Sequence, residues 1–467
     1  MENEEEAQNG RFEPRNGVLN MTEISNDKKV RSIKGTIVSA SFPVDETDGS
    51  LRKDNVDVQI ITELDAISPR IDVHLKCQFD YEMYGRTLIF NGFMRGDGVF
   101  IADSVDYPDN VYDMSFSEEE IEQIKQTSKD PDFLSNLIRS IAPSIVGMDD
   151  VKEALALQLF GGVGRIFDDG SAMIGNISVL IPFDPDTAVY SLIKAVSRLS
   201  PRSLFLSKNI DQNMKIQGDI VKGPHLEKRI QINVGAATIA NHGIVCLDDI
   251  NYVDRENLWQ IRCLIAEGRN YLGTIDGRHS YSLPADTAVL CGIPPNMGRI
   301  VEGTPILKQI DLFPGITSRF DFIIPVRDVP DIDRDKLIAK GILNKHLRGN
   351  AMKMVDSELK KEILDRTEDL VPVYSEDFIR RYVAYARLYC KPVLQGPAIN
   401  VIEDEYLSLR ESYDLTPLQL ETIVRISEAS ARSRLSDIVD ENDAKKSISL
   451  FKDNLARIGM FVKSAND

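Results

Sequence analysis

The 467-residue chain is short of cysteine and tryptophan, and it has no long apolar run. Its five cysteines are scattered, with no pair at the CxxC spacing, which argues against a disulfide framework and against a zinc or other metal site. No apolar stretch is long enough to cross a bilayer, and the acidic start MENEEEAQNG is the opposite of a signal peptide. We therefore expect an intracellular protein, cytoplasmic (nucleoid) or nuclear, with no membrane partner.

Positive charge is also in short supply. The chain has 73 acidic and 55 basic residues, excluding histidine, and a formal net charge of −18 at pH 7. Affinity for nucleic acid depends on Lys and Arg displacing counterions, so this balance argues against broad nonspecific attraction to DNA or RNA. A locally basic channel within a larger assembly remains compatible with it. The simpler interpretation is that the acidic surface keeps the protein soluble.

The first part of the chain changes character near residue 29. Residues 1–28 are polar, and we expect them to form a disordered acidic tail. From 29 to 109, short alternating apolar runs are broken by Gly, Asp and Asn, which is typical of a small β-barrel such as an OB-fold. OB-folds often bind single strands through aromatic platforms and basic grooves. Phe90, Phe93 and Arg95 are candidates for such contacts, although a barrel core also needs aromatic residues.

The remainder predicts an α/β domain between helical segments. Residues 110–135 indicate a helical linker, which a capping box at Ser117 and Glu120 opens. From 136 to 328, apolar strands alternate with helices, so we expect a parallel sheet sandwiched between helices. The pattern from 329 to 467 is wholly helical and predicts a C-terminal helical domain.

The central stretch is ISVLIPFDPDTAVYSLIKAVSRLSPR, from Ile177 to Arg202. It predicts a buried strand, a turn rich in Asp and Pro, and a helix beginning near Thr187, the layout that normally carries a phosphate-binding P-loop. A P-loop needs glycines so that backbone N–H groups surround the phosphates, a Lys for the β/γ oxygens and a hydroxyl for Mg²⁺. The corresponding positions hold Phe183, Asp186, Val189 and Tyr190. The layout is therefore present without the phosphate-binding groups.

Four tracts resemble a known family. They are LIRSIAPSIVGMDDVKEALALQLFGG, the strand-end LDD, FPGITSRFDFI and TPLQLETIVRISEASARSRLSDIVDENDA. They are similar to the minichromosome maintenance (MCM) family of AAA+ replicative helicases, roughly from Val30 to Met460. The resemblance implies an OB-fold, an AAA+ core and an all-helical lid, in that order. It also predicts a shortened member, since the helical subdomain before the OB-fold, the zinc-binding cysteines and a winged-helix tail have no counterpart here.

In this family the nucleotide site lies between neighbouring subunits of a ring. The family motif GDPGxAKS aligns with residues 183–190, where Asp184, Pro185 and Ala188 match and Thr187 occupies the variable position. Both glycines, the Lys and the hydroxyl are replaced. Loss of the Lys removes a bond of roughly 1.5–3 kcal/mol, and Asp186 adds repulsion of roughly 1–4 kcal/mol. The resemblance thus implies a degenerate site with no nucleotide cofactor.

Other family positions are also altered. Asp248 and Asp249 stand where the Walker B Asp-Glu pair would lie, and the alternative is that they cap the turn after their strand. Ile293 replaces the sensor Asn, with Asn296 nearby as a second candidate in an uncertain local alignment. Leu418 replaces the second sensor Arg.

Two arginines keep family positions. Arg319, in the tract SRFD, stands where an arginine finger would act on a neighbour's nucleotide. The alternative is that Arg319 pairs with Asp321 or another nearby carboxylate. Arg278 lies at the tip of a predicted hairpin, where the resemblance implies contact with DNA phosphates; a solvated turn residue is the alternative.

Three functions remain open at this point. The first is a non-hydrolysing MCM-like pseudoenzyme that docks on active MCM subunits or other replication factors, assembles through AAA+ interfaces and offers Arg319 to a partner. The second is an ATP-dependent DNA helicase with an unorthodox ATP–Mg²⁺ site built from Asp248, Asp249 and Lys194. The third is single-stranded DNA binding through the OB-fold. The joint loss of Lys, glycines, hydroxyl and sensors favours the first.

Overall fold

The computed structural model describes residues 32–45, 50–64, 68–207, 215–221, 229–253, 255–273, 280–413 and 415–459. These residues form two compact units. The first takes in the described residues up to Leu64, Ser68–Asp113 and Asp219–Val234, and the second takes in Met114–Gly218 and the chain from Gly235 onward. The sequence had assigned residues 219–221 and 229–234 to the α/β core, whereas the structure groups them with the barrel.

The strands and helices are numbered in chain order. The strands are β1 (Ser32–Pro43), β2 (Val56–Ile61), β3 (Arg70–Leu75), β4 (Thr87–Met94), β5 (Phe100–Asp106), β6 (Arg165–Ile166), β7 (Ala172–Met173), β8 (Val179–Pro182), β9 (Ser203–Leu206), β10 (Gly218–Val221), β11 (Arg229–Val234), β12 (Ile244–Leu247), β13 (Arg269–Gly273), β14 (Ser280–Pro284), β15 (Ala288–Ile293), β16 (Phe322–Ile323), β17 (Val393–Leu394) and β18 (Ile438–Val439). The helices are α1 (Glu118–Thr127), α2 (Phe133–Ser140), α3 (Asp149–Phe160), α4 (Val189–Leu199), α5 (Ala236–Ile239), α6 (Arg255–Glu267), α7 (Pro314–Thr317), α8 (Ile332–Ala351), α9 (Glu358–Arg366), α10 (Glu376–Tyr389), α11 (Gly396–Ser412), α12 (Pro417–Ser433) and α13 (Glu441–Ile458).

The first unit is a closed five-stranded barrel, which confirms the expected fold. Its strands follow the order β1-β2-β3-β5-β4 and close through a β1–β4 pairing; β3 and β5 are parallel and the other pairs are antiparallel. The long strand β1 pairs with β4 through residues 32–36 and with β11 through residues 39–43, on either side of a register shift. Such a shift bends a strand, so β1 serves both the barrel and the added β10–β11 pair.

The second unit is built around a five-stranded parallel sheet in the order β16-β8-β15-β12-β9. Every residue of β8, β12 and β15 is buried, as expected of parallel strands covered by helices on both faces. Helices α3 and α4 contribute to the same core. The structure thus confirms the predicted parallel sheet between helices.

Local sequence signals position the helices of this unit. The capping box of α1 is present: Glu120 N–H donates to Ser117 Oγ at 3.2 Å, and Ser117 N–H donates to Glu120 Oε2 at 2.9 Å. Helix α3 ends at Gly161, and Arg432 Nη1 lies 2.8 Å from each of the carbonyl oxygens of Phe160, Gly161 and Gly162. This buried guanidinium satisfies carbonyl groups that a helix end leaves without partners.

The helical lid follows the sheet. Helices α8 to α13 confirm the predicted helical character, with one correction: the two-residue strands β17 and β18 pair in parallel between them, so the segment is not wholly helical. The last helix ends at Ile458, where Gly459 takes the left-handed conformation with φ of 70°. None of the helices among the described residues is long and apolar enough for a membrane span.

Candidate functional site

The P-loop-like turn joins β8 to α4. Asp184 at its start is 3% exposed, and its two carboxylate oxygens accept hydrogen bonds from the backbone N–H groups of Ile300 (2.6 Å) and Asp328 (2.9 Å). Its own N–H donates to Val326 O at 3.0 Å. Asp184 therefore ties the turn to the segments that follow β15 and β16, so its match to the family motif has a structural explanation.

Asp186 has a backbone conformation that glycine usually adopts. Its φ is 65°, in the left-handed region where Asp and Asn are tolerated better than other residues with a side chain. This is the position at which the family motif has its second glycine. Next to it, Thr187 Oγ1 donates to Asp184 O at 2.8 Å. The turn thus keeps a glycine-type path and places a carboxylate on it.

Bulky residues fill the rest of the turn. Val189, at the motif's Lys position, has no exposed surface and lies in the core of the second unit. The Phe183 ring lies so close to β15 that a Cβ built on Gly292 would be 2.8 Å from it. Tyr190, at the motif's hydroxyl position, is 42% exposed and packs edge-on against Phe205, with ring centroids 5.6 Å apart. The Lys position therefore faces the protein interior.

A cavity of about 770 Å³ opens beside this turn. Asp186, Thr187 and Ala188 line one side of it, and Lys194 of α4 extends that wall. The lining also includes the apolar residues Ile145, Ile338, Ile342 and Pro372, together with charged residues such as Arg327, Arg334 and Lys345. Asp248, Asp249 and Arg319 are not among the lining residues, so this cavity brings together only part of the predicted site.

Lys152 of α3 shapes the wall formed by residues 142–146. Its side chain is buried, and Nζ donates to Ile145 O at 2.7 Å and to Ala142 O at 3.2 Å. Burial lowers the pKa of this ammonium, and the nearby Asp149 only partly opposes the effect. The sequence analysis missed Lys152, although a lone Lys within the otherwise buried face of a predicted helix was a usable signal.

The two Walker B-like carboxylates lie just after β12. Burial raises the pKa of Asp248, outweighing the hydrogen bond from Ser207, and Asp248 Oδ1 accepts from Asp249 N–H at 2.9 Å. Asp249 Oδ1 accepts from Asn251 N–H at 2.8 Å and caps the short 3₁₀ turn Ile250–Tyr252. Asp249 therefore makes the capping contact that was its alternative interpretation, and a role for either carboxylate in hydrolysis stays a prediction.

Arg319 lies in a separate cavity of about 250 Å³, together with Leu418 and Arg425. Asp321 pairs with Arg425 at 2.8 Å, so the alternative in which Arg319 pairs with Asp321 is wrong. Within the part of the chain that the structure describes, the Arg319 guanidinium has no hydrogen bond or ion pair, and its side chain is partly buried.

The other predicted residues fall into three groups. Ile293 is buried at the end of β15, and Asn296 is exposed, with its N–H donating to Gln309 O at 2.7 Å. Leu418, at the second sensor position, lines the Arg319 cavity. Arg278 lies outside the described residues, so its predicted DNA contact stays a prediction. Across the described ranges, no group of three or more His, Cys, Asp or Glu side chains is placed to hold a metal ion.

The three candidate residues of the barrel differ in exposure and pairing. Phe90 is a core residue with no exposed surface, and the Arg95 guanidinium is held by Asp97 at 2.6 Å. Phe93 is 46% exposed, and Lys76 Nζ lies 5.3 Å from its ring centroid. Of the three, Phe93 has the exposure that base stacking requires.

Comparison with known proteins agrees with this architecture. Two family models match: the MCM P-loop domain over residues 120–346 and the MCM AAA-lid domain over residues 377–455. The minichromosome maintenance protein MCM of Saccharolobus solfataricus is 29% identical over 388 residues, which is 81% of this chain and 52% of that protein.

Two relatives named DNA replication licensing factors are similar to the chain to the same degree. MCM6 of Oryza sativa subsp. indica is 29% identical over 352 residues, or 73% of this chain and 40% of that protein. Mcm4 of Schizosaccharomyces pombe is 29% identical over 355 residues, or 72% of this chain and 36% of that protein. The chain spans about half, or less, of the length of these relatives. With both the P-loop and the lid models matched in the expected order, the chain belongs to the minichromosome maintenance family.

Proposed function

We propose that this chain is a non-hydrolysing MCM-family subunit that acts through its shape on active MCM subunits or other replication factors. The observation that carries the proposal is the complete burial of Val189 at the position of the P-loop Lys. A Lys that binds phosphate must reach into the nucleotide site, whereas this side chain packs in the core. The names of the relatives, which are replication licensing factors, support a replication setting and an intracellular location, nuclear or cytoplasmic.

The electrostatics of the turn support the same proposal. Asp186 lines the cavity at the end where the family motif receives phosphates. A carboxylate and a phosphate at close range repel by roughly 1–4 kcal/mol, and the missing Lys removes roughly 1.5–3 kcal/mol of attraction. No nucleotide cofactor is expected, because the repulsion from Asp186 and the loss of the Lys both weaken binding of the same phosphate group.

Arg319 supports a role in an oligomer. Its guanidinium is free of the carboxylate expected to hold it, since Asp321 is bound by Arg425. An arginine with no carboxylate partner among the described residues is available to a neighbour's nucleotide. We therefore propose assembly with MCM subunits through AAA+ interfaces, with Arg319 as the residue given in trans.

Nucleotide titration tests the proposal. A fluorescent ATP analogue with Mg²⁺ is titrated against the purified chain, and unlabelled ATP–Mg²⁺ is then added as the competitor. We expect no saturable signal that ATP displaces. Micromolar binding that unlabelled ATP competes away would overturn the proposal.

An ATP-dependent DNA helicase is the second candidate, and one observation favours it. Lys194 lines the 770 Å³ cavity, and its ammonium has no carboxylate partner among the described residues. Lys194 lies in α4, away from the motif Lys position, and from there its ammonium could bind a phosphate in the cavity. In that case Lys194→Gln abolishes a measurable ATPase activity, while absence of activity in the unaltered chain removes this candidate.

Single-stranded DNA binding by the barrel is the third candidate. Phe93 is exposed and Lys76 lies beside it, so the ring could stack on a base while the ammonium attracts the nucleic-acid backbone. Against it, strands β2 and β3 of the same barrel carry the exposed carboxylates Asp57 and Asp72. A loss of oligonucleotide binding in Phe93→Ala, measured by anisotropy, would support this candidate; no binding by the unaltered chain would remove it.

A further inference from the structure

Three arginines line a cavity of about 570 Å³ elsewhere in the second unit. They come from three separate elements: Arg327 follows β16, Arg334 lies in the first turn of α8, and Arg457 lies in the last turn of α13. The rest of the wall is mainly apolar and includes Met148, Val151, Pro325, Val326 and Val329. Three guanidinium groups therefore converge on a concave surface from different parts of the chain.

The charge of this cavity is positive. Asp150 is the one carboxylate among its lining residues, and it forms an ion pair with Arg457. Arg327 Nη2 lies 3.5 Å from Glu302 Oε2, but the Glu302 side chain is 84% exposed, so solvent screens this pair strongly. An excess of arginine in one cavity is unexpected in a chain with a net charge of −18.

Several donors of Arg327 and Arg334 are not used by acceptors in the described structure. The Nε atoms of Arg327 and Arg334 are buried, and neither has an acceptor in the described structure. Arg334 Nη1 makes only a long bond of 3.4 Å, to Arg327 O. The two Nε atoms have almost no accessible surface, so the donors that can face a ligand in the cavity are the Nη groups.

We propose that Arg327, Arg334 and Arg457 form a binding site for a phosphate group, either free or as a monoester. A guanidinium offers several N–H donors in a fixed plane, which match the oxygens of a tetrahedral dianion. Arg327 and Arg334 also line the 770 Å³ cavity, so the organic part of an ester has adjoining space to occupy. The site adjoins the cavity beside the P-loop-like turn, and Arg457 lines this cavity but not that one.

Calorimetric titration of the full chain tests this site. Sodium phosphate and phenyl phosphate serve as two probes, each compared with sodium chloride at equal ionic strength. Saturable one-site binding of either probe supports the proposal, and the tighter of the two identifies free phosphate or a monoester as the ligand. Heats that do not differ from those of chloride, for both probes, overturn it.

Two variants of equal charge locate the binding. Arg334→Gln removes one guanidinium from the cavity, and we expect affinity to fall about 10- to 100-fold. Arg366→Gln removes an exposed arginine of α9 that lines neither cavity, and it should leave the affinity unchanged. Equal weakening by both variants would mean nonspecific attraction and would overturn the site. If Arg334→Gln does not fold, Arg327→Gln serves as the cavity variant with the same criterion.

Discussion

Arg425 and Asp321 form a buried ion pair, with Nη2 2.8 Å from Oδ1 and with 9% and 1% of the two side chains exposed. The pair joins helix α12 of the lid to the sheet edge, two residues after Arg319. Burial would lower the pKa of the Arg425 guanidinium, but the Asp321 and Glu421 carboxylates together outweigh burial and hold that pKa above its usual value. The other Asp321 oxygen accepts from Ser178 N–H at 2.8 Å, so one carboxylate fixes three segments.

Breaking this pair should destabilise the second unit strongly. Arg425→Met leaves the Asp321 charge buried without its partner, which typically costs about 3–5 kcal/mol of unfolding free energy. Arg198→Met is the matched control, because its pair with Glu376 is 51% and 47% exposed and should contribute less than about 1 kcal/mol. Urea unfolding followed by circular dichroism measures both. Similar losses for the two variants would contradict the proposed importance of burial.

The motif Lys cannot be restored at its position without a penalty. Val189→Lys places an ammonium in the core, and we expect a loss of at least about 2–3 kcal/mol of stability. Asp186→Gly, at φ 65°, should instead be neutral or stabilising, because glycine adopts this conformation freely. The double variant should unfold more easily than the unaltered chain and show no ATP turnover. Turnover by the double variant would show that the remaining site is intact.

Asp184 should behave as a structural residue. Its carboxylate accepts two backbone hydrogen bonds while buried, and Asp184→Ala leaves the N–H groups of Ile300 and Asp328 unpaired. We expect a loss of roughly 2–4 kcal/mol. Asp184→Asn keeps an oxygen acceptor and should lose less. Thermal unfolding midpoints rank the two variants. A lower midpoint for Asp184→Asn than for Asp184→Ala would contradict this role.

Asp248 should oppose stability at neutral pH. Burial raises its folded pKa, so between the unfolded pKa, about 3.9, and the folded pKa the native state binds more protons than the unfolded state. Its contribution to stability therefore falls as pH rises through this window. Asp248→Asn should therefore gain stability at pH 7, by an amount that the partial exposure of the group keeps small.

The pH dependence of that gain is the control. Below about pH 3 the Asp248 carboxyl is protonated in both states, so the difference between Asp248→Asn and the unaltered chain should vanish. Unfolding midpoints in urea at pH 3 and pH 7 measure this difference. A gain of the same size at both pH values would exclude the carboxylate charge as its cause.

Arg319 should act on a partner and not on its own chain. When the chain is mixed with an active MCM protein from the same cell, we expect Arg319→Ala to change the partner's ATPase rate by tenfold or more, since a finger contributes about 10³–10⁵ to the rate where one is used. Arg366→Ala, which removes an exposed arginine of α9, is the control. Co-purification confirms that the variant still binds. An unchanged rate with intact binding would leave only a scaffolding role.

Local signals in the sequence predicted much of the fold. The alternation in the barrel strands, the capping box at Ser117 and Glu120, and Gly459 after the last helix each depend on a few neighbouring residues, and each is present in the structure. The Asp248–Asp249 pair was also placed correctly after its strand. These features were predictable because short-range periodicity and capping chemistry determine them.

Contacts between distant residues were not predictable in the same way. The pairing of β11 with β1 joins residues about 190 positions apart, such as Ser39 with Asn233. The Arg425–Asp321 pair depends on how the lid docks on the sheet, and the sequence suggested Arg319 as the partner instead. Neither periodicity nor spacing specifies which of several arginines reaches a given carboxylate.

The contrast between Asp186 and Val189 has a consequence for any redesign of this turn. At Asp186 the backbone already follows a path open to glycine, so a substitution there needs no rearrangement. At Val189 the interior is closed around an aliphatic side chain, so a lysine there would require changes among its neighbours as well. A phosphate-binding lysine therefore cannot be introduced at this position by one substitution alone.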